Sequence, residues 1–312
     1  MERLIIGSRG SELALWQANF IRANLANHTD VPVEIKIVRT QGDKIDHLSF
    51  SEMEGKGFFT KELEEALLGG TIDLAVHSLK DLQTTMPDGI DLGAVCFRED
   101  PRELVLIRPE SYASEAPLGI KEGATIGTSS VRRQCQIAHL APTLKIKDLR
   151  GNVPTRVRKL REGQYDAIIL ANAGVKRLDL DVSDLKSFLL GTSYFLPAPA
   201  QGILGIQVRR DDRQVTPIVG KLDSVGLRKQ VALERGLLAK FDGGCQLPLA
   251  VASEIIDNGY LLRATLGVRQ ETGWGVLRRA DMTGADIETL IDGAYQCLTS
   301  PADPATESHD RP

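Results

Sequence analysis

Apolar positions in this chain come in short blocks that alternate between two spacings. Residues 4–8 form a run short enough for a buried strand, and residues 11–26 follow with Leu13, Trp16, Gln17 and Phe20 near helical spacing. The same alternation predicts strands at 33–40, 74–78 and 92–97 and a helix at 60–68. A strand–helix rhythm of this kind implies a largely parallel α/β sheet with functional loops at the strand ends. After Arg98-Glu99-Asp100-Pro101-Arg102 the composition changes and a second series begins. It has strands at 104–107, 125–127, 144–147 and 167–171 and helices at 131–139 and 153–161. The proline-rich stretch Leu196-Pro197-Ala198-Pro199-Ala200-Gln201-Gly202 marks another crossing. The strand at 202–209 has no local partner and is expected to return to the first sheet. Two α/β lobes joined by two crossovers form a hinged pair with a cleft between them.

From about residue 223 the pattern changes again. A helix over 227–241 precedes strands at 249–253, 260–268 and 276–281, which read as antiparallel, and a helix at 285–298 closes the series. The predicted division is a first lobe of 1–99 with 200–220, a second lobe of 104–196, and a smaller α+β domain of 223–300. The polar tail 301–312 is expected to be flexible.

Composition narrows the functional classes. With 312 residues the chain can hold two or three domains, and a formal charge of −4 argues against a global nucleic-acid binder. Cys96, Cys135, Cys245 and Cys297 show neither a CxxC pair nor metal-ligand spacing, so reduced thiols and no metal are expected. The N-terminal apolar run is too short for a signal peptide, and no stretch approaches 18 apolar residues. A cytoplasmic, soluble protein without a membrane partner is therefore expected.

Three places carry candidate chemistry. The first is Phe241-Asp242-Gly243-Gly244-Cys245-Gln246-Leu247-Pro248, where two glycines break a helix just before a thiol. Such a turn presents a sulfur for covalent chemistry; it is equally a helix C-cap beside an idle cysteine. Cys96 lies in an apolar strand and Cys135 and Cys297 lie in helices, so these thiols should be less accessible. The second is the basic run between Thr128 and Arg161. Arg132 and Arg133 follow the small-residue loop Gly127-Thr128-Ser129-Ser130, and Arg150 precedes Gly151-Asn152, again at a strand-to-helix turn. Backbone N–H groups and guanidinium forks at such turns make sites for carboxylate or phosphate. Arg9, in Gly7-Ser8-Arg9-Gly10-Ser11, repeats the design, so a small polyanion is expected; no nucleotide fingerprint is present. The third is Asp73-Leu74-Ala75-Val76-His77-Ser78-Leu79-Lys80-Asp81, a buried strand ending in polar groups. A further loop, Gly55-Lys56-Gly57-Phe58-Phe59-Thr60-Lys61, reads either as a flap or as a turn whose phenylalanines anchor the next helix.

Taken together, the segments Arg9–Gln17 (Arg-Gly-Ser-Glu-Leu-Ala-Leu-Trp-Gln), 55–59, 77–81, 98–102, 127–136, 149–155, Gln201-Gly202 and 243–248 resemble the porphobilinogen deaminase family, also called hydroxymethylbilane synthases. They keep the family's order and spacing across nearly the whole chain. The resemblance implies two lobes similar to hinged periplasmic binding proteins, plus a smaller C-terminal domain. It implies a dipyrromethane cofactor joined by a thioether to Cys245. It also implies an activity: head-to-tail joining of four porphobilinogen molecules with loss of ammonia, then hydrolytic release of hydroxymethylbilane. By motif, Asp81 would be the catalytic carboxylate. Lys80, Asp81, Thr128, Ser129, Ser130, Arg132, Arg133, Arg150 and Gly151 would bind the cofactor. Arg9, Ser11, Lys56, Phe59, Ser78, Arg150, Arg156, Arg177 and Gln201 would bind substrate. Glu12, Gln83 and Pro199-Ala200 depart from the family's usual residues without removing a charged group. A monomer is expected. The competing class is a non-enzymatic two-lobe binding protein for a small polycarboxylate, which would need no reactive cysteine.

Overall fold

The first apolar run becomes β1 (Leu4–Ser8), an inner strand of a five-stranded sheet. Its companions are β2 (Val33–Ile37), β3 (Leu74–Ser78), β4 (Ile90–Cys96) and β10 (Leu204–Arg209), in the order β2-β1-β3-β10-β4. The computed structural model describes residues 1–40, 60–242, 247–271 and 273–300. β1 pairs in parallel with β2 and β3, while β10 runs antiparallel between β3 and β4. The late strand thus returns to the first sheet, with Leu204 opposite both Ser78 and Cys96. Helix α1 (Glu12–Leu25) buries Gln17, Ala18, Ile21 and Leu25 on one stripe, and α2 (Lys61–Leu68) buries Leu63 and Leu67.

The second lobe repeats the plan. β5 (Glu103–Ile107), β6 (Thr125–Gly127), β7 (Lys145–Lys147), β8 (Ala167–Ala171) and β9 (Lys186–Leu190) form a sheet ordered β7-β6-β8-β5-β9. Helices α3 (Val131–Leu140), α4 (Val153–Arg161) and α5 (Asn172–Arg177) complete it. β5 is antiparallel to both neighbours, so neither sheet is wholly parallel. β9, Lys-Ser-Phe-Leu-Leu, escaped the sequence reading because it is an edge strand with an exposed, polar start, a weak pattern on its own. In each sheet the fourth strand runs against its neighbours and is entered directly from a crossover.

Those crossovers touch. Glu99 N donates to Gly202 O at 2.9 Å. Phe97, Ala200 and Gly202 all have positive φ, and a Cβ on Gly202 would stand 2.2 Å from Glu99 O, so only glycine fits there.

After α6 (Val215–Val219) comes the third domain: α7 (Val225–Lys240), β11 (Leu249–Ile256), β12 (Gly259–Gln270), β13 (Gly273–Gly284) and α8 (Ile287–Thr299). Its antiparallel sheet, ordered β11-β12-β13, packs through Leu249, Val251 and Leu262 on Leu233 and Leu237 of α7 and Leu290 and Ala294 of α8. α7 starts two residues before the periodic pattern because Ser224 caps it, accepting from Leu227 N at 3.4 Å.

Candidate active site

On the first lobe, β3 ends at His77-Ser78 and turns through one 3-10 turn, Leu79–Asp81, while β1 ends in the loop that leads into α1. Between them lies a cavity of about 80 Å³ bordered by Arg9, Ser11, Gln17, His77, Ser78 and Asp81. Ser11 also caps α1, and Gln17 Nε2 donates to Ser78 Oγ at 2.7 Å. Gln17 was read from the sequence only as part of a helix face; its exposure of only 3% and its bond to Ser78 make it part of this wall. Asp81 is exposed at the mouth.

His77 is buried, and burial pushes its pKa down to about 4; a hydrogen bond with Gln207 opposes the shift and the charge of Arg9 adds to it. The imidazole is therefore neutral at pH 7. An unfolded histidine titrates near 6.5, so on acidification the unfolded chain takes up a proton first. Stability should fall between about pH 6.5 and pH 4, by up to about 1.4 kcal/mol per pH unit. Thermal melts at pH 7 and pH 4.5 check this: the loss in Tm should be larger for the parent than for His77→Gln. Equal losses would show that His77 does not titrate in this way.

On the second lobe, Arg132 and Arg133 open α3 where the sequence places them, but they are buried and heavily engaged. Arg132 Nη2 donates to Glu103 Oε1 at 2.7 Å and Nη1 to Leu196 O at 2.8 Å. Arg133 donates through Nε and Nη2 to Glu103 Oε1 and Oε2, at 3.1 and 2.7 Å, and through Nη1 to Ile169 O at 3.0 Å. Glu103 is fully buried. Burial alone would raise its pKa, but Arg133 and Arg132 outweigh that and hold it down to about 2. Glu103 is the functional carboxylate that sequence reasoning missed. Nothing local in the sequence shows that β5 delivers it beneath two arginines 29 and 30 residues on.

The neighbouring loops are tied together. Ser129 Oγ donates to Leu149 O at 3.1 Å and accepts from Leu149 N at 3.0 Å. Thr128 is buried, and its Oγ1 accepts from Ser130 N at 3.2 Å. Gly151 holds φ at 108°, and Arg156 Nε donates to its carbonyl at 2.7 Å. The side chain of Arg150 is half-buried beside them.

Lys80 and Asp81 face this cluster across the cleft. Burial lowers the Lys80 pKa, Asp81 opposes the shift, and Arg133, Glu103 and Arg132 all act on it. The Arg156 pKa falls to about 10, through burial first and then repulsion from Arg133 and Arg150, with Asp81 opposing. Among the described residues, five cations, Lys80, Arg132, Arg133, Arg150 and Arg156, thus stand against two carboxylates, Glu103 and Asp81. A cluster that repels itself in this way favours an anionic ligand.

Two expected substrate residues lie at the crossovers. Gln201 is fully buried between the crossovers, where its Nε2 donates to Pro101 O at 2.8 Å and its Oε1 accepts from Lys80 Nζ at 3.3 Å. Arg177 is also buried; its Nη2 donates to Gly202 O at 2.5 Å and Phe97 O at 3.4 Å, holding both crossovers, and it lies over the Trp16 ring. Lys56, Phe59 and Cys245 lie outside the described residues. Pro248, three residues after Cys245, is described: its carbonyl accepts from Gly267 N at 3.0 Å and faces Cys135 Sγ of α3 at 3.9 Å. Of the other thiols, Cys96 and Cys135 are buried and pushed up to about 12 and about 11 by burial, which makes them poor nucleophiles. Cys297, expected to be less accessible because it lies in a helix, is exposed on the outer face of α8.

The model for the family domain described as porphobilinogen deaminase, dipyromethane cofactor binding domain, matches residues 4–217, and that for the porphobilinogen deaminase C-terminal domain matches residues 229–290. A porphobilinogen deaminase from Sulfurimonas denitrificans is 45% identical over 270 residues, covering 86% of this chain and 85% of that protein. One from Nitratidesulfovibrio vulgaris is 44% identical over 313 residues, covering 96% of each. Among solved structures, the methionine binding protein MetQ aligns at 13% identity with a TM-score of 0.44, covering 74% of this chain and 94% of that one; so loose a likeness carries no argument.

Proposed function

The chain belongs to the porphobilinogen deaminase family, and from that premise we propose how its own residues carry out the reaction. The enzyme joins four porphobilinogen molecules head to tail, with loss of ammonia, and releases hydroxymethylbilane by hydrolysis. Its cofactor is a dipyrromethane. When bound, the cofactor supplies a pyrrole carbon to which the first substrate is joined.

The residues present fit such a group. A dipyrromethane carries acetate and propionate side chains, and the surplus of cations at Lys80, Arg132, Arg133 and Arg156 is what several carboxylates would neutralise. Glu103 holds Arg132 and Arg133 in place for them, with Thr128, Ser129, Ser130, Arg150 and Gly151 shaping the same wall. Cys245 is the attachment point in this reading, by its place in the Gly243-Gly244-Cys245 motif. Arg9, Ser11 and Ser78 bind the incoming porphobilinogen on the first lobe, with Arg156 reaching it from the second.

Loss of ammonia from porphobilinogen leaves positive charge on its methylene and ring. Asp81 stands exposed at the mouth of the cavity, and its carboxylate stabilises that charge as it develops. It also takes part in moving the proton released when the new carbon–carbon bond forms. Arg177 and Gln201 serve this chemistry by holding the hinge rather than by touching substrate. The facing of Asp81 and Lys80 by the Glu103-held arginines is the observation that carries the reading. We read the enzyme further as a cytoplasmic monomer; three free cysteines among the described residues agree with a reducing compartment.

Intact mass tests the reading. Active protein should be heavier than its sequence by one dipyrromethane, with the adduct on the peptide containing Cys245, and porphobilinogen should yield hydroxymethylbilane and ammonia. Active protein with an unmodified Cys245 overturns the attachment, and pyrrole-free protein that only binds polycarboxylates supports the two-lobe binding protein instead.

A further inference from the structure

The turn that presents Asp81 is not held by its own lobe alone. Arg235, on α7 of the third domain, reaches across and caps its backbone. Arg235 Nη1 donates to Leu79 O at 3.0 Å and to Leu82 O at 2.9 Å, and Nη2 donates to Gln83 O. These carbonyls bracket Lys80 and Asp81 on both sides. Arg235 is only 9% exposed, and no carboxylate pairs with it among the described residues. Burial alone lowers its pKa, to about 10, so it remains a cation at neutral pH. A buried cation balanced only by carbonyl dipoles is a poor way to gain stability, since well-packed apolar side chains do as well or better. What the arrangement does supply is position: one rigid fork fixes three carbonyls of a short turn at once.

The helix that carries the fork is itself anchored. The neighbouring Glu234 is fully buried and accepts from Ala200 N at 2.6 Å and Ser253 Oγ at 2.7 Å, and it pairs with Arg98 at 2.9 Å. From Arg235, α7 runs on for about 7.5 Å to Lys240 and then enters the turn that leads to Cys245. One helix therefore holds the Asp81 turn at one point and ends five positions before Cys245 in the sequence.

We propose that Arg235 is a positioning residue for the reaction: it sets the Asp81 carboxylate in register with the domain that carries the cofactor cysteine. The proposal rests on Asp81 being the charge-stabilising group, and its test separates the two ideas. Single-turnover addition of porphobilinogen is measured on holoenzyme, selected by mass, for the parent, Arg235→Met, Asp81→Asn and the double variant. Arg235→Met keeps the apolar stem and removes the fork. It should slow addition by about tenfold or more, because misplacements near 1 Å cost up to about 100-fold. Half-saturation should change by less than about twofold, because the substrate-binding arginines are untouched. Arg235→Lys, which can still donate to one or two of the carbonyls, should recover part of the rate.

The decisive comparison is in the Asp81→Asn background. If Arg235 acts through Asp81, removing the fork there should change the rate by less than about twofold. Losses that multiply would show that Arg235 acts on the enzyme by another route, and so overturn the proposal. A parent-like rate for Asp81→Asn alone would sink the reading of Asp81 instead. Should Arg235→Met not fold, Arg235→Lys takes its place in the same cycle, with the same two outcomes.

Discussion

Replacing Asp81 with asparagine should slow the addition of porphobilinogen by about 100-fold or more while leaving the fold intact. The side chain is exposed at a cavity mouth, so its amide removes no core packing. What it removes is a fixed negative charge, and losing one preorganised electrostatic group commonly costs 100- to 1000-fold. Asp81→Glu keeps the charge but displaces it by about one methylene, so it should fall between asparagine and the parent. The measurement is single-turnover addition to holoenzyme with the adducts counted by mass. A parent-like rate for Asp81→Asn would make the carboxylate structural.

The second large effect concerns cofactor assembly. Arg132→Leu and Arg133→Leu should each yield mostly cofactor-free protein, since a charge-assisted hydrogen bond contributes about 1.5–3 kcal/mol. The two should differ in stability. Arg133 supplies two of the three arginine hydrogen bonds to Glu103, and Arg132 supplies one. Arg133→Leu therefore leaves a buried carboxylate short of partners, at a cost of about 3–5 kcal/mol. Adding Glu103→Gln should restore much of the lost Tm without restoring the cofactor. Intact mass and thermal melts read the two effects separately; holo-protein with normal activity from both leucine variants would contradict the assignment.

The sequence made some parts of this molecule legible and hid others for identifiable reasons. The five strands of the first sheet, four of the five in the second, the return of β10 and the antiparallel third domain followed from strand and helix periods, because buried strands and amphipathic helices write their environment into spacing. The Asp81 turn and the arginine-bearing strand ends were visible because polar residues clustered where apolar runs stopped. Glu103 and Arg235 were not, since each acts on a segment at least 29 residues away and has no local signature. Gln201 stood in a quoted motif and Arg177 in none, and only the folded crossovers reveal the carbonyls that both of them bind.

The antiparallel fourth strand of each sheet also sets an order on the making of the protein. Residues 103–190 contain all five strands of the second sheet, whereas the first sheet is missing β10 until residue 209 has been synthesised. Until then β3 and β4 have no strand between them, and their inner edges have unmet backbone hydrogen bonds. The lobe that begins the chain is thus the later of the two to close. During translation the emerging N-terminal hundred residues are an open template, exposed to mispairing or to chaperones until the second lobe has come off the ribosome and sent the chain back.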